Sequence, residues 1–366
     1  MPEPTPQKPI LSDPVASFRG KKAAKAKVFS RISLSVLGIL ILVMLSLIMV
    51  YLFGPGPRAR SGDNTIFVVE SGDGTGAVAS RLQKAHLIRS PLGFRIIAGL
   101  SRAAGSMKPA EYEIPSGASA ARIAAILASG KGVKRSVTLP EGWSVSQIYT
   151  RLAANTILTG DLPPIAPEGS LNPDTYVIQR GDTRTQIVKR MRASHDSMLE
   201  DLWLKRAADL PFRTKEEAVV LASIVEKETG LAEERPRVAA VFVNRLRKGM
   251  KLQSDPTIIY GITKGAPLRR KIFKSDLENP HPWNTYVINA LPPTPIANPG
   301  KAAIAAVLNP PKSNDLFFVA DGTGGHVFAE TYAEHDRNVQ RWREFRRQAE
   351  AKDADLSGAS EEATPK

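Results

Sequence analysis

Two glutamates close one stretch of this chain, Thr214 to Gly230 (TKEEAVVLASIVEKETG), and acid–base chemistry is most readily placed there. Val220, Ile224 and Glu228 are four apart and share a helix face, which Leu221 and Val225 widen. Glu228 therefore stands where the stripe calls for an apolar side chain. A carboxyl so placed is either paired or partly desolvated, and desolvation raises its pKa. An acid that keeps its proton near neutral pH is what protonation of a leaving-group oxygen requires. Glu226, two residues away, points elsewhere, so the two carboxyls do not face each other. The same spacing also fits two solvated carboxylates, which is what most helical glutamates are.

Other chemistries are poorly provided for. There is no Cys, so there is no thiolate nucleophile, disulfide or cysteine metal site. The histidines are His86, His195, His281, His326 and His335, and no pair falls at a zinc-hydrolase spacing. No G-x-S-x-G elbow occurs. No cofactor is expected. His195 lies among polar residues and reads as surface decoration. Polar groups that could join a carboxyl in one site are Gln253, Ser254, Asp255, Tyr260, Asn284 and Tyr286.

The elements that must position these groups have legible ends. Thr214 and Glu217 form a capping box, and Gly230 is a natural left-handed stop. A helix over Glu233 to Lys248 follows, with Val238, Val241, Phe242 and Leu246 inward and Gly249 at its end. Ser254 or Asp255 caps a short helix through Tyr260, with Pro256 in its first turn. Residues 276–299 are a Pro- and Asn-rich loop, of the kind that often lines a site. Gly300 to Leu308 is helical. FFVADGTGGHVF (Phe317 to Phe328) is a hairpin with a structural turn, since a phosphate loop would want a following helix and a Lys. Thr183 to Trp203 and Thr331 to Arg347 are further helices.

Upstream, Gly72, Gly117 and Gly142 are each followed at +6 by Val78, Ile123 and Ile148, and at +10 by Leu82, Leu127 and Leu152. Each glycine follows a short extended run and precedes a helical one, so the unit is strand, turn, short helix. The repeated positions carry turn and core residues but no shared acid or His. They suit modules that bind or position something. Pro91 to Leu100 is one more short helix.

The N-terminus is Pro-rich and then basic. Ile32 to Phe53 carries no charge and spans roughly 30 Å as a helix, the thickness of a hydrocarbon core. The basic flank places the N-terminus inside. No A-x-A-like cleavage site follows, so an uncleaved anchor is expected rather than a signal peptide. The formal charge of +14 favours anionic neighbours, and the basic tail invites lipid headgroups. A body beyond the membrane has no nucleic acid to meet.

Further residues carry a resemblance. Ala222-Ser223-Ile224-Val225-Glu226-Lys227-Glu228-Thr229, Val241-Phe242-Val243-Asn244-Arg245-Leu246, Leu252-Gln253-Ser254-Asp255-Pro256-Thr257 and Tyr260-Gly261 resemble the bacterial endolytic murein transglycosylases, the YceG-like proteins. So do Glu168-Gly169, Pro173-Asp174-Thr175-Tyr176, Asn284-Thr285-Tyr286, Leu291-Pro292-Pro293, Pro295-Ile296, Asn298-Pro299-Gly300 and Phe317-Phe318-Val319-Ala320, over roughly residues 62–347. The resemblance implies a single-pass inner-membrane protein with a periplasmic body that cuts peptidoglycan glycan strands. It also implies coupling to wall-synthesising enzymes. The family's acid carries over to the Glu before Thr, Glu228, leaving Glu226 as a supporting carboxylate. Gln253, Ser254, Asp255, Tyr260, Asn284 and Tyr286 then bind sugar groups or orient Glu228. Asp255 is the second carboxylate if the enzyme were instead a hydrolytic muramidase. A wall-binding scaffold without catalysis is the non-enzymatic alternative.

The expected architecture is α+β. It comprises a basic disordered tail (1–31), a transmembrane helix (32–53), a linker (54–63), LysM-like strand–helix modules (64–160), a mixed helical catalytic domain with a small β element (161–347) and a disordered C-terminal tail (348–366).

Overall fold

The computed structural model describes residues 35–50, 53–57 and 63–362, with side chains as far as residue 351. The expected disordered tail at 1–31 lies outside these. Residues 35–50 form helix α1, with every side chain exposed. Both ends of the expected span Ile32–Phe53 include residues outside the described ones. Among the described residues no helix is long and apolar enough to cross a membrane.

The chain divides into two compact units, Met1–Val133 and Lys134–Lys366. The first contains β1 (Thr65–Val69), α2 (Thr75–Lys84), α3 (Pro91–Leu100), a 3-10 turn, β2 (Ala110–Ile114) and α4 (Ala120–Ser129). Strands β1 and β2 pair antiparallel, with Phe67 opposite Tyr112 and Val69 opposite Ala110. These four are buried against Val78, Leu82, Phe94, Ile97, Ile123 and Leu127. Ser90 caps α3, accepting from the Gly93 N–H ahead of a Pro in the first turn.

The second unit runs through β3 (Arg135–Leu139), α5 (Val145–Ala153), β4 (Asp174–Ile178), α6 (Arg184–Trp203), α7 (Lys215–Glu228), α8 (Arg235–Arg247), α9 (Asp255–Thr263) and α10 (Lys274–Glu278). It continues with α11 (Lys301–Leu308), β5 (Phe317–Ala320), β6 (His326–Ala329) and α12 (Tyr332–Glu362). Strand β3 pairs with β4, and β5 with β6, both antiparallel. The fold is thus α+β, with helices around small two-stranded sheets. Helix α12 continues past Arg347, where the sequence suggests the last helix ends and a disordered tail begins.

The strand–turn–helix repeat is real in three dimensions. Gly72, Gly117 and Gly142 have φ of +89°, +75° and +74°, a region that a side chain disfavours. The six residues at +6 and +10 are all fully buried. Its third copy, β3 and α5, belongs to the second unit, because β3 pairs with β4.

Helix α7 is the axis of the larger core. It carries the expected capping box, Thr214 with Glu217. Ala218 through Val225 are buried without a break, so α7 has no solvent face over two turns. The expected one-sided stripe is corrected here: α8, α11 and neighbouring side chains surround the helix. The expected left-handed stop at Gly230 is also absent. Instead buried Thr229 turns the chain into extended conformation (φ −137°, ψ 135°), and its Oγ1 accepts the Leu231 N–H at 3.0 Å.

Candidate active site

Glu228 is the last residue of α7 and is half-buried. Burial lifts its pKa from the ordinary carboxyl value to about 7. The Ser254 hydroxyl opposes that rise most, Asp255 adds to it by like charge, and His326 and Arg245 oppose it by opposite charge. Groups from α8, α9, β6 and the loop after α10 therefore converge electrostatically on this one carboxyl.

Each is held from behind. Ser254 occupies the N-cap position of α9, yet its hydroxyl does not cap the helix. Its Oγ is buried and makes no hydrogen bond of good geometry within the protein, which leaves it available beside the carboxyl. Its backbone N–H donates to Thr285 Oγ1 at 2.9 Å, and its carbonyl accepts the Thr257 hydroxyl at 2.6 Å. Gln253 just before it is exposed at φ +52°, an uncommon backbone state for a non-glycine residue and one often found at functional sites. Asp255 is exposed and accepts the Tyr286 hydroxyl at 2.7 Å. Burial and that bond hold the Tyr286 proton well above the ordinary phenol range.

Two of the sequence-predicted residues do other work. Asn284 is buried, and its Nδ2 donates to the carbonyls of Asp276, Leu277 and Asn279 while its Oδ1 accepts the Tyr286 N–H. Its amide folds the loop that carries Tyr286, so it orients and has no free donor for a ligand. Tyr260 donates to Glu168 Oε2 at 3.3 Å, with its phenol pushed up to about 12 by burial and by Glu168. That carboxyl also accepts the Val145 N–H and the Asn298 amide, and burial raises its pKa.

Glu226 is fixed differently from Glu228. Its carboxylate accepts the Gly300 N–H, at the N-terminus of α11, at 3.0 Å, and lies 3.8 Å from the Arg235 guanidinium. Burial raises its pKa, and the Glu141 carboxylate adds to the rise. An acid that anchors a helix end and an arginine has its oxygens committed. Glu228 has no such backbone anchor, and its proton affinity is the one set near neutrality.

Sequence reasoning passed over Arg245 and His326 as site residues. Arg245 is buried, donating Nε to the Leu316 carbonyl at 2.6 Å and Nη1 to the Leu252 carbonyl at 2.7 Å. Its signal was present: it lies three after Phe242 and four after Val241, a charge inside an apolar stripe. His326 begins β6, and nothing in the spacing marks it. His195 is a correction. It is buried on the inner face of α6, where burial lowers its pKa, and is not surface decoration. Among the described residues, no group of three or more His, Asp or Glu side chains could hold a metal ion.

A desolvated carboxyl at the end of a core helix, with the Ser254 hydroxyl and the Arg245 guanidinium acting on it, is suited to general acid–base chemistry. The profile of the YceG-like family matches residues 67–341, and the chain belongs to that family. An endolytic murein transglycosylase of Bacillus subtilis is 29% identical over 321 residues, covering 78% of this chain and 87% of that one. One of Streptococcus pneumoniae is 36% identical over 177 residues. That match takes in 47% of this chain and only 31% of the pneumococcal one. A solved YceG-like protein of Listeria monocytogenes aligns over 75% of this chain and 99% of its own, at 26% identity and a TM-score of 0.46.

Proposed function

We propose that this chain is an endolytic murein transglycosylase that cleaves the β-1,4 bond between N-acetylmuramic acid and N-acetylglucosamine, leaving 1,6-anhydro-muramyl ends. The observation that carries the reading is Glu228, a carboxyl shifted to about 7 at the end of the central helix. Protonated Glu228 gives its proton to the glycosidic oxygen as the bond from the muramyl anomeric carbon breaks. The resulting carboxylate takes the proton of the C6 hydroxyl on the same sugar, whose oxygen closes on that carbon. Acid and base are one residue, and proton affinity near neutrality suits both halves. Ser254 is placed to meet the carboxyl or the sugar, and Asp255 with Tyr286 forms a polar wall.

The first unit serves as the glycan-gripping, LysM-like part, its β1–α2–α3–β2 order supporting a module distinct from the chemistry. The apolar stretch at 32–53 anchors the chain in the inner membrane, with the basic tail on the cytoplasmic side against anionic headgroups. Contact with wall-synthesising enzymes is in keeping with a cut made near the membrane.

The test is mass spectrometry of isolated glycan strands incubated with the full chain. Anhydro-muramyl ends are expected, and Glu228→Gln abolishes them. Reducing muramyl ends would instead assign hydrolysis assisted by Asp255. Binding without any cleavage by folded protein would leave a wall-binding scaffold.

A further inference from the structure

Helix α3 is apolar on both sides, and the fold covers only one of them. Phe94, Ile97 and Ala98 are buried in the core of the first unit. On the opposite side Leu92, Ile96 and Leu100 recur at every fourth position and are 64%, 48% and 78% exposed. Side chains four apart line up along a helix, so the three form one ridge roughly 12 Å long. Gly99 stands in the same face, and a Cβ there would meet nothing within 4 Å. Arg95, exposed beside the ridge, is the only charged residue of the helix. A helix that is apolar all round is ordinarily buried all round. The ends of α3 are tied down: Ser90 accepts the Gly93 N–H, and the Ser101 hydroxyl donates to the Ile97 carbonyl at 2.8 Å.

The charges near the ridge have one sign. Residues 74–110 contain no Asp or Glu, but hold Arg81, Lys84, Arg89, Arg95, Arg102 and Lys108. Arg81 is engaged by Asp73. Arg89, Arg95 and Arg102 are exposed and, among the described residues, take part in no ion pair. An aliphatic ridge bordered by such arginines has the make-up of a helix lying in a membrane interface, its apolar side among acyl chains and its cations at the phosphates. A sugar polymer suits the face poorly, since it offers no aromatic ring to stack on and no hydroxyl or amide side chain. A second copy would bring the same arginines against one another across a two-fold axis.

We propose that the outer face of α3 seats on the bilayer in which residues 32–53 are anchored, with Leu92, Ile96 and Leu100 among the acyl chains and Arg89, Arg95 and Arg102 on lipid phosphates. This rests on the proposed anchor and goes beyond the proposed reaction. The chain between the two contacts is short: residues 54–63 reach at most about 35 Å when fully extended. Anchoring makes the second contact intramolecular, so a ridge of three aliphatic side chains suffices where it would bind weakly on its own. Seated in this way, α3 holds the first unit at a set height above the lipid surface.

The chain has no Cys, so single introduced cysteines can be spin-labelled without interference. Leu92→Cys, Ile96→Cys and Leu100→Cys are labelled in the full chain, reconstituted into vesicles of phosphatidylethanolamine and phosphatidylglycerol. Ile66→Cys is the reference, because Ile66 is equally apolar and exposed but lies on the sheet face turned away from the helices. Leu42→Cys reports on the anchor. Oxygen should relax the three α3 labels in preference to a water-soluble nickel complex, whereas nickel should relax the Ile66 label. Arg95→Glu should shift the α3 labels towards nickel. Three α3 labels that read water in the folded, anchored protein would overturn the inference. Protection that appears only when glycan strands are added would also overturn it, by assigning the face to the glycan. So would spin–spin broadening that dilution with unlabelled chain relieves, which assigns the face to a second copy. Leu92→Ser with Leu100→Ser should leave the melting temperature of the full chain unchanged, and a clear fall would mean that the fold itself covers the ridge. A Leu42 label in water beside α3 labels in lipid would remove the anchor and leave the α3 contact standing. The reverse would remove the α3 contact alone.

Discussion

Glu228 binds its proton more tightly in the folded chain than in the unfolded one, because folding removes water from the carboxyl. Its contribution to stability is complete below the unfolded value of 4.5 and is lost as pH rises through about 7. Above pH 8 the folded chain carries a buried anion, at a cost of about 3 kcal/mol relative to an ordinary carboxyl. Glu228→Gln removes that cost. The variant should therefore melt close to wild type at pH 5 and above it at pH 8, a divergence that calorimetry at the two pH values would show. Cleavage by the wild-type chain should fall over the same range, since the first half-reaction needs the protonated acid. Glu226→Gln should keep its cleavage. Its amide oxygen still accepts the Gly300 N–H. Because burial raises the Glu226 pKa, losing its charge costs no stability at pH 8, so anhydro ends persist and the melting temperature there does not fall. Strong loss of cleavage in Glu226→Gln, with Glu228→Gln still active, would reverse the assignment of the acid.

At the scale of elements, the end of α7 is fixed by loops that reach it from both sides in sequence. Asn298 is fully buried and joins three of them. Its Oδ1 accepts the Leu171 N–H at 3.0 Å, while its Nδ2 donates to the Trp143 carbonyl at 2.9 Å and to Glu168 Oε1 at 3.2 Å. Asn298→Ala would leave a buried N–H and an under-satisfied carboxylate, which costs about 2–3 kcal/mol. Urea unfolding should show that loss, and a fall below about 0.5 kcal/mol would mean that water replaces the amide without penalty. Such ties explain which features could be read from residues alone. The Thr214–Glu217 box, the bounds of α3 and the repeat at Gly72, Gly117 and Gly142 depend on neighbours within about ten residues, and the sequence states them directly. The pairing of β3 with β4, the burial of His195 and the use of the Asn284 amide on its own loop depend on partners the local pattern does not name. Glu228 was legible because a carboxyl interrupts an apolar spacing. Arg245 interrupts one too, but an arginine near the end of a helix also fits a favourable pairing with the helix dipole, and that reading hides it. His326 interrupts nothing.

On the scale of the whole molecule, each unit has a core of its own. The first packs around Phe94, Tyr112, Leu82 and Leu127. Within 134–366, one cluster gathers on α7, α8 and α11, and another on Val137, Ile148, Leu171 and Ile187. Glu228, Ser254, Asp255, Arg245, Tyr286, His326 and the Asn298 ties all lie after residue 133. A chain beginning at Lys134 should therefore fold cooperatively, titrate Glu228 near its value in the full chain and form anhydro ends from short soluble strands. If the first unit grips glycan, the shortened chain should lose retention on insoluble peptidoglycan, and its KM on long strands should rise severalfold while kcat stays within about twofold, the pattern of lost uniform binding. A shortened chain that folds but retains full binding to sacculi would remove the gripping role from the first unit. One that folds with an equal fall in kcat and kcat/KM would show instead that the first unit acts in the chemical step itself.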